Sequence, residues 1–183
     1  MLNRDFIAEE LNKFGDEVVK KAKENLASTS SNFTNELYNS ISHDPARISN
    51  AGNIVSLSLT MLEYGDYQDQ GVRGIGGVRK TTSKFKNLAG KTNNKGKLWK
   101  QNAPKDTPFS FKENKPIPVS VFNDWAKAKG LNPFAVRQVV WHQGLKPKRF
   151  FTNAFEEAYE TLPDRLVEAF SLQVDSFLDF TRQ

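Results

Sequence analysis

Between Val72 and Lys105 the chain carries Arg73, Arg79, Lys80, Lys84, Lys86, Lys91, Lys95, Lys97, Lys100 and Lys105 without one carboxylate, punctuated by Gly74, Gly76, Gly77, Gly90 and Gly96. Like charges repel, and glycine loses the most conformational entropy on ordering, so such a run cannot form a packed core alone. It is read as an extended basic arm over 72–105 that orders on a partner. The flanking segments carry regular apolar spacing. The expectation is one domain, 1–183, bearing this arm and a two-helix insert at 118–145.

The rest of the composition follows from that split. Lys and Arg total 26 against 21 Asp and Glu, for a net charge of +5, and the arm more than accounts for the excess. Everything outside it is net acidic. Such a dipolar chain suits neighbours of both signs. There is no cysteine, which excludes thiol catalysis, thiolate metal sites and disulfides. No run approaches the ~20 apolar residues of a membrane span, and Met1–Phe6 does not resemble a signal peptide, so the expected setting is a cell interior with no membrane partner.

Asn3 can cap a long helix whose apolar positions are Phe6, Ile7, Leu11, Phe14, Val18, Ala22 and Leu26. Its wet face mixes acids and bases, which fits core packing better than a membrane surface. Thr34 or Asn35 can cap a short turn that buries Leu37 and Ile41. Asn50–Asn53 reads as a turn, and Ile54–Leu62 alternates as a strand with one face on the first helix, completing an antiparallel hairpin. Tyr64 and Tyr67 are spaced for one helical turn that Gly71 can end. Asp66 and Asp69 in that turn read first as solvated or capping groups, with cation binding or pairing with the basic arm as the alternative.

After the arm, Phe109 and Phe111 mark re-entry as a short strand. Ile117, Val121, Trp125 and Ala128 line a short helix closed by Gly130, with Leu131 packing back. Asn132-Pro133 opens the next, with Phe134, Val136, Val139 and Val140 on its packed face and Gly144 at its end. Beyond Pro147, the positions Phe155, Tyr159, Leu162, Leu166 and Phe170 keep a helical spacing, and Pro163 either kinks the helix or starts another. The opposite face carries Glu156, Glu157, Glu160, Asp164 and Glu168, a candidate acidic interface. The fold class is α+β, with a long N-terminal amphipathic helix packed on a small antiparallel sheet, a helical insert and a C-terminal helix.

No catalytic, metal or cofactor constellation emerges. His43 and His142 lie in different elements, and the glycines of Gly71–Gly77 match neither the dinucleotide nor the phosphate-loop spacing. The chain is expected not to be an enzyme. DNA binding is the competing expectation, since the basic arm can neutralise phosphates and 119–143 has a helix-turn-helix outline. That outline offers only Arg137, Gln138 and Asn132 as base readers.

The order of motifs resembles the neck and tail-completion proteins of tailed bacteriophages, a family that includes the minor tail protein Z group. The stretches that carry the resemblance are Lys23-Glu-Asn25, Thr34–Ile41, Tyr64–Gly71 and Pro147–Ala154. Within them the family pattern falls on Leu37, Ser40, Ile41, Tyr64, Tyr67, Gly71, Pro147, Phe150, Phe151 and Ala154. Asn35 stands where the pattern has glycine, and two extra residues separate Pro147 from Phe150. The resemblance implies a non-enzymatic homo-oligomeric ring at the head-to-tail junction of a virion, assembled in a bacterial host's cytoplasm. It would lie between portal or connector and tail proteins, within reach of packaged DNA.

Overall fold

The computed structural model describes residues 5–29, 35–48, 55–79 and 97–181. In chain order the elements are α1 (Asp5–Ser28), α2 (Glu36–Ser40), β1 (Ser42–Ile48), β2 (Val55–Thr60), α3 (Tyr64–Gln70), β3 (Val72–Arg73), β4 (Val78–Arg79) and β5 (Lys97–Leu98). A 3-10 turn (Val119–Phe122) precedes α4 (Asn123–Ala128), α5 (Pro133–Gln143), β6 (Gly144–Leu145), α6 (Phe150–Tyr159) and α7 (Leu162–Thr181). The expected α+β class is what forms. The expected caps at Asn3 and Thr34, the 50–53 turn, and Lys80, Lys84, Lys86, Lys91 and Lys95 lie outside the described residues.

Where the sequence suggested one domain with an arm, the chain divides into two compact units, Met1–Gly65 with Arg149–Gln183, and Asp66–Lys148. The first unit is organised on α1. Phe14, Val18, Ala22 and Leu26 are all buried, following the 3-4 spacing. Phe14 and Val18 meet Ala158 and Leu162, with Leu57 and Leu59 of β2 against them. Ala22 and Leu26 meet Leu37, Ile41, Phe150 and Ala154. One amphipathic helix thus covers a β-hairpin and the start of the C-terminal helices.

β1 and β2 pair antiparallel, Ser42 opposite Thr60 and Ile48 opposite Val55, with an irregular register between Asp44 and Arg47. Pro45 sits in that irregularity, where a residue without an N–H does least damage. The neighbouring Ala46 N–H is satisfied by Asn12 Oδ1 of α1 at 2.7 Å. The α1 side chain Asn25 similarly donates to the Phe150 carbonyl at 3.1 Å. These two bonds fix the hairpin and α6 along α1.

The C-terminal helices depart from the expected register. Ala154, Ala158, Leu162 and Ala169 are buried, whereas Phe155, Tyr159 and Phe170 are exposed on the rim. Ala22, Ala154 and Ala158 are fully buried, so α1 and α6 meet there through small side chains, with the Phe150 ring filling the cluster beside them. Phe155 instead lies edge-on to Phe14, with ring centroids 5.5 Å apart. Phe6, expected in the core, is also exposed. Pro163 starts a new helix, α7, near its first turn.

The second unit buries little apolar surface; among its described residues Val72, Ala103 and Ala126 are the buried apolar side chains. Its backbone is held by short ladders: β3 with β6, β4 with β5, and a parallel bridge from Arg73 to Ser110. That bridge stands where a strand was expected at Phe109–Phe111. The helical insert begins with a 3-10 turn, and α4 ends in a Schellman motif. Leu131 N–H reaches the Ala126 carbonyl at 2.8 Å, Gly130 N–H reaches Lys127 at 3.1 Å, and Gly130 takes φ +64°. Asn132 then caps α5 by accepting the Phe134 N–H at 2.9 Å, with Pro133 at the first helical position. Lys148, half buried, donates through Nζ to Gln68 Oε1, and burial lowers its pKa from the ordinary lysine value.

Candidate functional site

The basic stretch is a folded feature at both ends, which corrects its reading as an arm extended throughout 72–105. Residues 72–79 and 97–105 are sewn onto the end of α5 and onto β6. Arg73 pairs with Gly144, Val72 with Leu145, and Val78 and Arg79 with Leu98 and Lys97. Arg79 and Lys97 are thus cross-strand neighbours in one antiparallel ladder.

Two glycines make the close approach possible. A β-carbon on Gly74 would lie 2.2 Å from the His142 carbonyl oxygen, and one on Gly144 would lie 2.1 Å from the Val72 carbonyl oxygen. Both contacts are backbone and cannot give way. Gly144 also takes φ +79°, a conformation costly for any residue with a side chain. Across this seam Ile75 N–H donates to the Trp141 carbonyl and Gly76 N–H to the His142 carbonyl, both at 3.0 Å.

Polar side chains complete the seam. Gln101 accepts the Gly74 N–H on Oε1 and donates from Nε2 to the His142 carbonyl, each at 3.0 Å. Asn102 donates its backbone N–H to Gln143 O at 2.8 Å and its Nδ2 to Gly144 O at 3.2 Å. The His142 ring stacks on Trp99, centroids 4.9 Å apart and planes 3° apart. Its Nδ1 lies 2.7 Å from the Gly76 carbonyl, which requires the proton on Nδ1. His142 lies in the last turn of α5, and the aromatic stack and the Gly76 bond hold its ring. An open groove of about 440 Å³ beside the seam is lined by Tyr67, Phe109, Phe111 and Leu145.

Of the basic residues described with side chains, Arg73, Lys100 and Lys105 are exposed. The carboxylates Glu156, Glu157, Glu160, Asp164 and Glu168 are exposed in the first unit, as expected of a solvated helix face. Two of them have basic neighbours in the same unit, Glu156 with Arg149 at 3.4 Å and Glu157 with Lys21 at 3.6 Å. Glu168 lines an open groove of about 480 Å³ with Phe6, Glu10, Lys13 and Arg165.

Most positions of the family pattern have structural work. Leu37, Ile41, Phe150 and Ala154 share one buried cluster, with Phe151 packed against it. Ser40 Oγ donates to Leu37 O at 2.8 Å and accepts the Leu62 N–H at 3.1 Å, tying α2 to the end of the hairpin. Asn35 takes φ +56°. Tyr64 and Tyr67 are partly exposed, Gly71 ends α3 at φ +76°, and Pro147 is half buried.

The helical insert departs from expectation. Its apolar side chains were expected to be committed to packing, yet Val121, Leu131, Phe134 and Val139 are exposed. α4 and α5 are too short, and too thinly backed by other elements, to bury apolar residues on more than one face. Of the base-reading residues, Asn132 is exposed with its Oδ1 used in capping, and Arg137 and Gln138 are half buried. Among the described residues no group of three or more His, Asp or Glu is placed to hold a metal, and no helix is long and apolar enough to cross a membrane.

Gln101, Asn102 and the exposed insert residues carry no signature a sequence reading can find. The paired glycines Gly74 and Gly144 do signal close backbone approach, but not to each other across 70 positions of chain. No family model, curated protein or solved structure matches this chain.

Proposed function

We propose that the protein is a structural subunit of the head-to-tail junction of a tailed bacteriophage, forming a closed ring between portal or connector and tail. The observation that carries the reading is the convergence of its motif positions. Leu37 and Ile41, then Phe150 and Ala154, lie over a hundred residues apart in sequence and meet in one buried cluster on α1. Asn35 occupies the pattern's glycine position in the left-handed conformation that favours glycine, and asparagine is among the side chains that best tolerate it. These are the residues the resemblance rests on, and their spacing is explained by one core.

A ring places one face of each subunit against a different face of the next. The charge distribution suits that arrangement, with exposed carboxylates on α6 and α7 and a carboxylate-free basic stretch rooted in the second unit. The basic stretch meets acidic protein surface first and packaged DNA second. Cryo-electron microscopy of particles assembled in the bacterial host tests this. The chain should be found as a ring at the junction, and its location elsewhere in the particle, or absence from it, overturns the reading. A duplex titration of the purified protein at two salt concentrations tests the DNA alternative. Binding that falls steeply with salt, together with no ring, would replace the virion role by a DNA-binding one.

A further inference from the structure

Two apolar faces stand exposed with opposite charge around them. On α7, Val167 (65% exposed) and Phe170 (48%) lie three residues apart and so share a face. That face is bordered by the exposed carboxylates Asp164 and Glu168. At the α4–α5 corner, Leu131 (49%) and Phe134 (62%) flank the Asn132 cap, beside the exposed Lys127 and Lys129. Residues 150–171 hold five carboxylates against Arg165 alone, whereas 119–143 hold Lys127, Lys129 and Arg137 against Asp124 alone. Large apolar side chains grouped on an exposed face and rimmed by charge mark protein contacts.

We propose that the α7 face of one copy docks on the α4–α5 corner of a second copy. Phe134 and Leu131 meet Val167 and Phe170, and Lys127 and Lys129 face Asp164 and Glu168. The occupant is a second copy because each chain presents both complementary faces, and a contact between unlike faces repeats from copy to copy. This rests on the ring reading and supplies its interface. The apolar centre provides the affinity, and the charged rim sets register and speeds encounter, so association weakens as salt rises.

The test is sedimentation velocity on the full chain, using Phe134→Asp and Val167→Asp, two exposed positions whose substitution leaves the cores untouched. The wild type should assemble, and each variant alone should run as a monomer. Their equimolar mixture should give a 1:1 heterodimer, because the intact α7 of one variant meets the intact corner of the other. Variants that assemble like the wild type overturn this interface while the ring reading stands. A mixture that stays monomeric also overturns it, and a wild type monomeric at every concentration overturns both. If either variant fails to fold, the pair Lys129→Glu and Glu168→Lys replaces it. Each alone should weaken association about tenfold at low salt, and both in one chain should restore it. No weakening, or no restoration, overturns the proposal.

Discussion

The two units are held together by different physics. The first is a conventional core: α1 buries a continuous apolar face against β2, α2 and α6, so its stability lies in side chains such as Phe14, Leu26, Ile41 and Phe150. The second buries few apolar side chains and is held by backbone ladders, two glycine contacts and the amides of Gln101 and Asn102. Hydrophobic burial is non-directional and tolerates repacking, whereas a seam of hydrogen bonds depends on geometry. Substitutions should therefore separate the units by kind as well as by size.

The largest effect is expected in the first unit. Phe150→Ala removes a ring that is 1% exposed and should cost about 3–5 kcal/mol, read as a lower urea midpoint for the α1 amides. An unchanged midpoint would mean the core does not depend on the α6 junction. Next comes the glycine seam. Gly144→Ala places a β-carbon against the Val72 carbonyl at φ +79° and should cost about 2 kcal/mol or more. Hydrogen exchange should show the Ile75 and Gly76 amides deprotected while the α1 amides stay slow. Equal loss in both units would erase the distinction drawn between them.

Gln101→Ala sharpens the comparison further, since it changes no apolar packing. It leaves the Gly74 N–H and the His142 carbonyl without this partner, and about 1–3 kcal/mol should be lost, confined to the second unit. Exchange rates at Gly74 identical to the wild type would show that the side chain is dispensable.

The smallest effect is electrostatic and belongs to the first unit. The Asp16 carboxylate accepts a hydrogen bond from His43 Nε2 at 3.0 Å and so raises the His43 pKa above the ordinary histidine value, against the opposing effect of burial. A raised folded-state value means the stabilisation is fully present below the ordinary histidine pKa and is lost as pH rises through the folded one. Because Asp16 is exposed, the amount is under about 1 kcal/mol. Urea midpoints of Asp16→Asn at acidic and alkaline pH should lose this dependence; a dependence identical to the wild type would assign it to another group.

The amino-acid sequence by itself determined the elements whose signals are local. Periodicity alone places α1, the alternation of Val55, Leu57 and Leu59 places β2, and the Gly130 and Asn132-Pro133 signals place the ends of α4 and α5. Each of these follows from backbone geometry and the residues within one or two turns. Tertiary structure alone decided the rest. Ala154 and Ala158 face the core and Phe155 and Tyr159 the rim, a choice set by how α6 docks on α1, since both pairs share the same helical spacing. The insert exposes Phe134 because none of the described residues covers it. Above all, the basic stretch looked unfoldable because its composition cannot supply a core. Its two ends are folded because the bonds that hold them come from Trp141 to Leu145, a contribution that no local pattern around Val72 or Lys97 encodes.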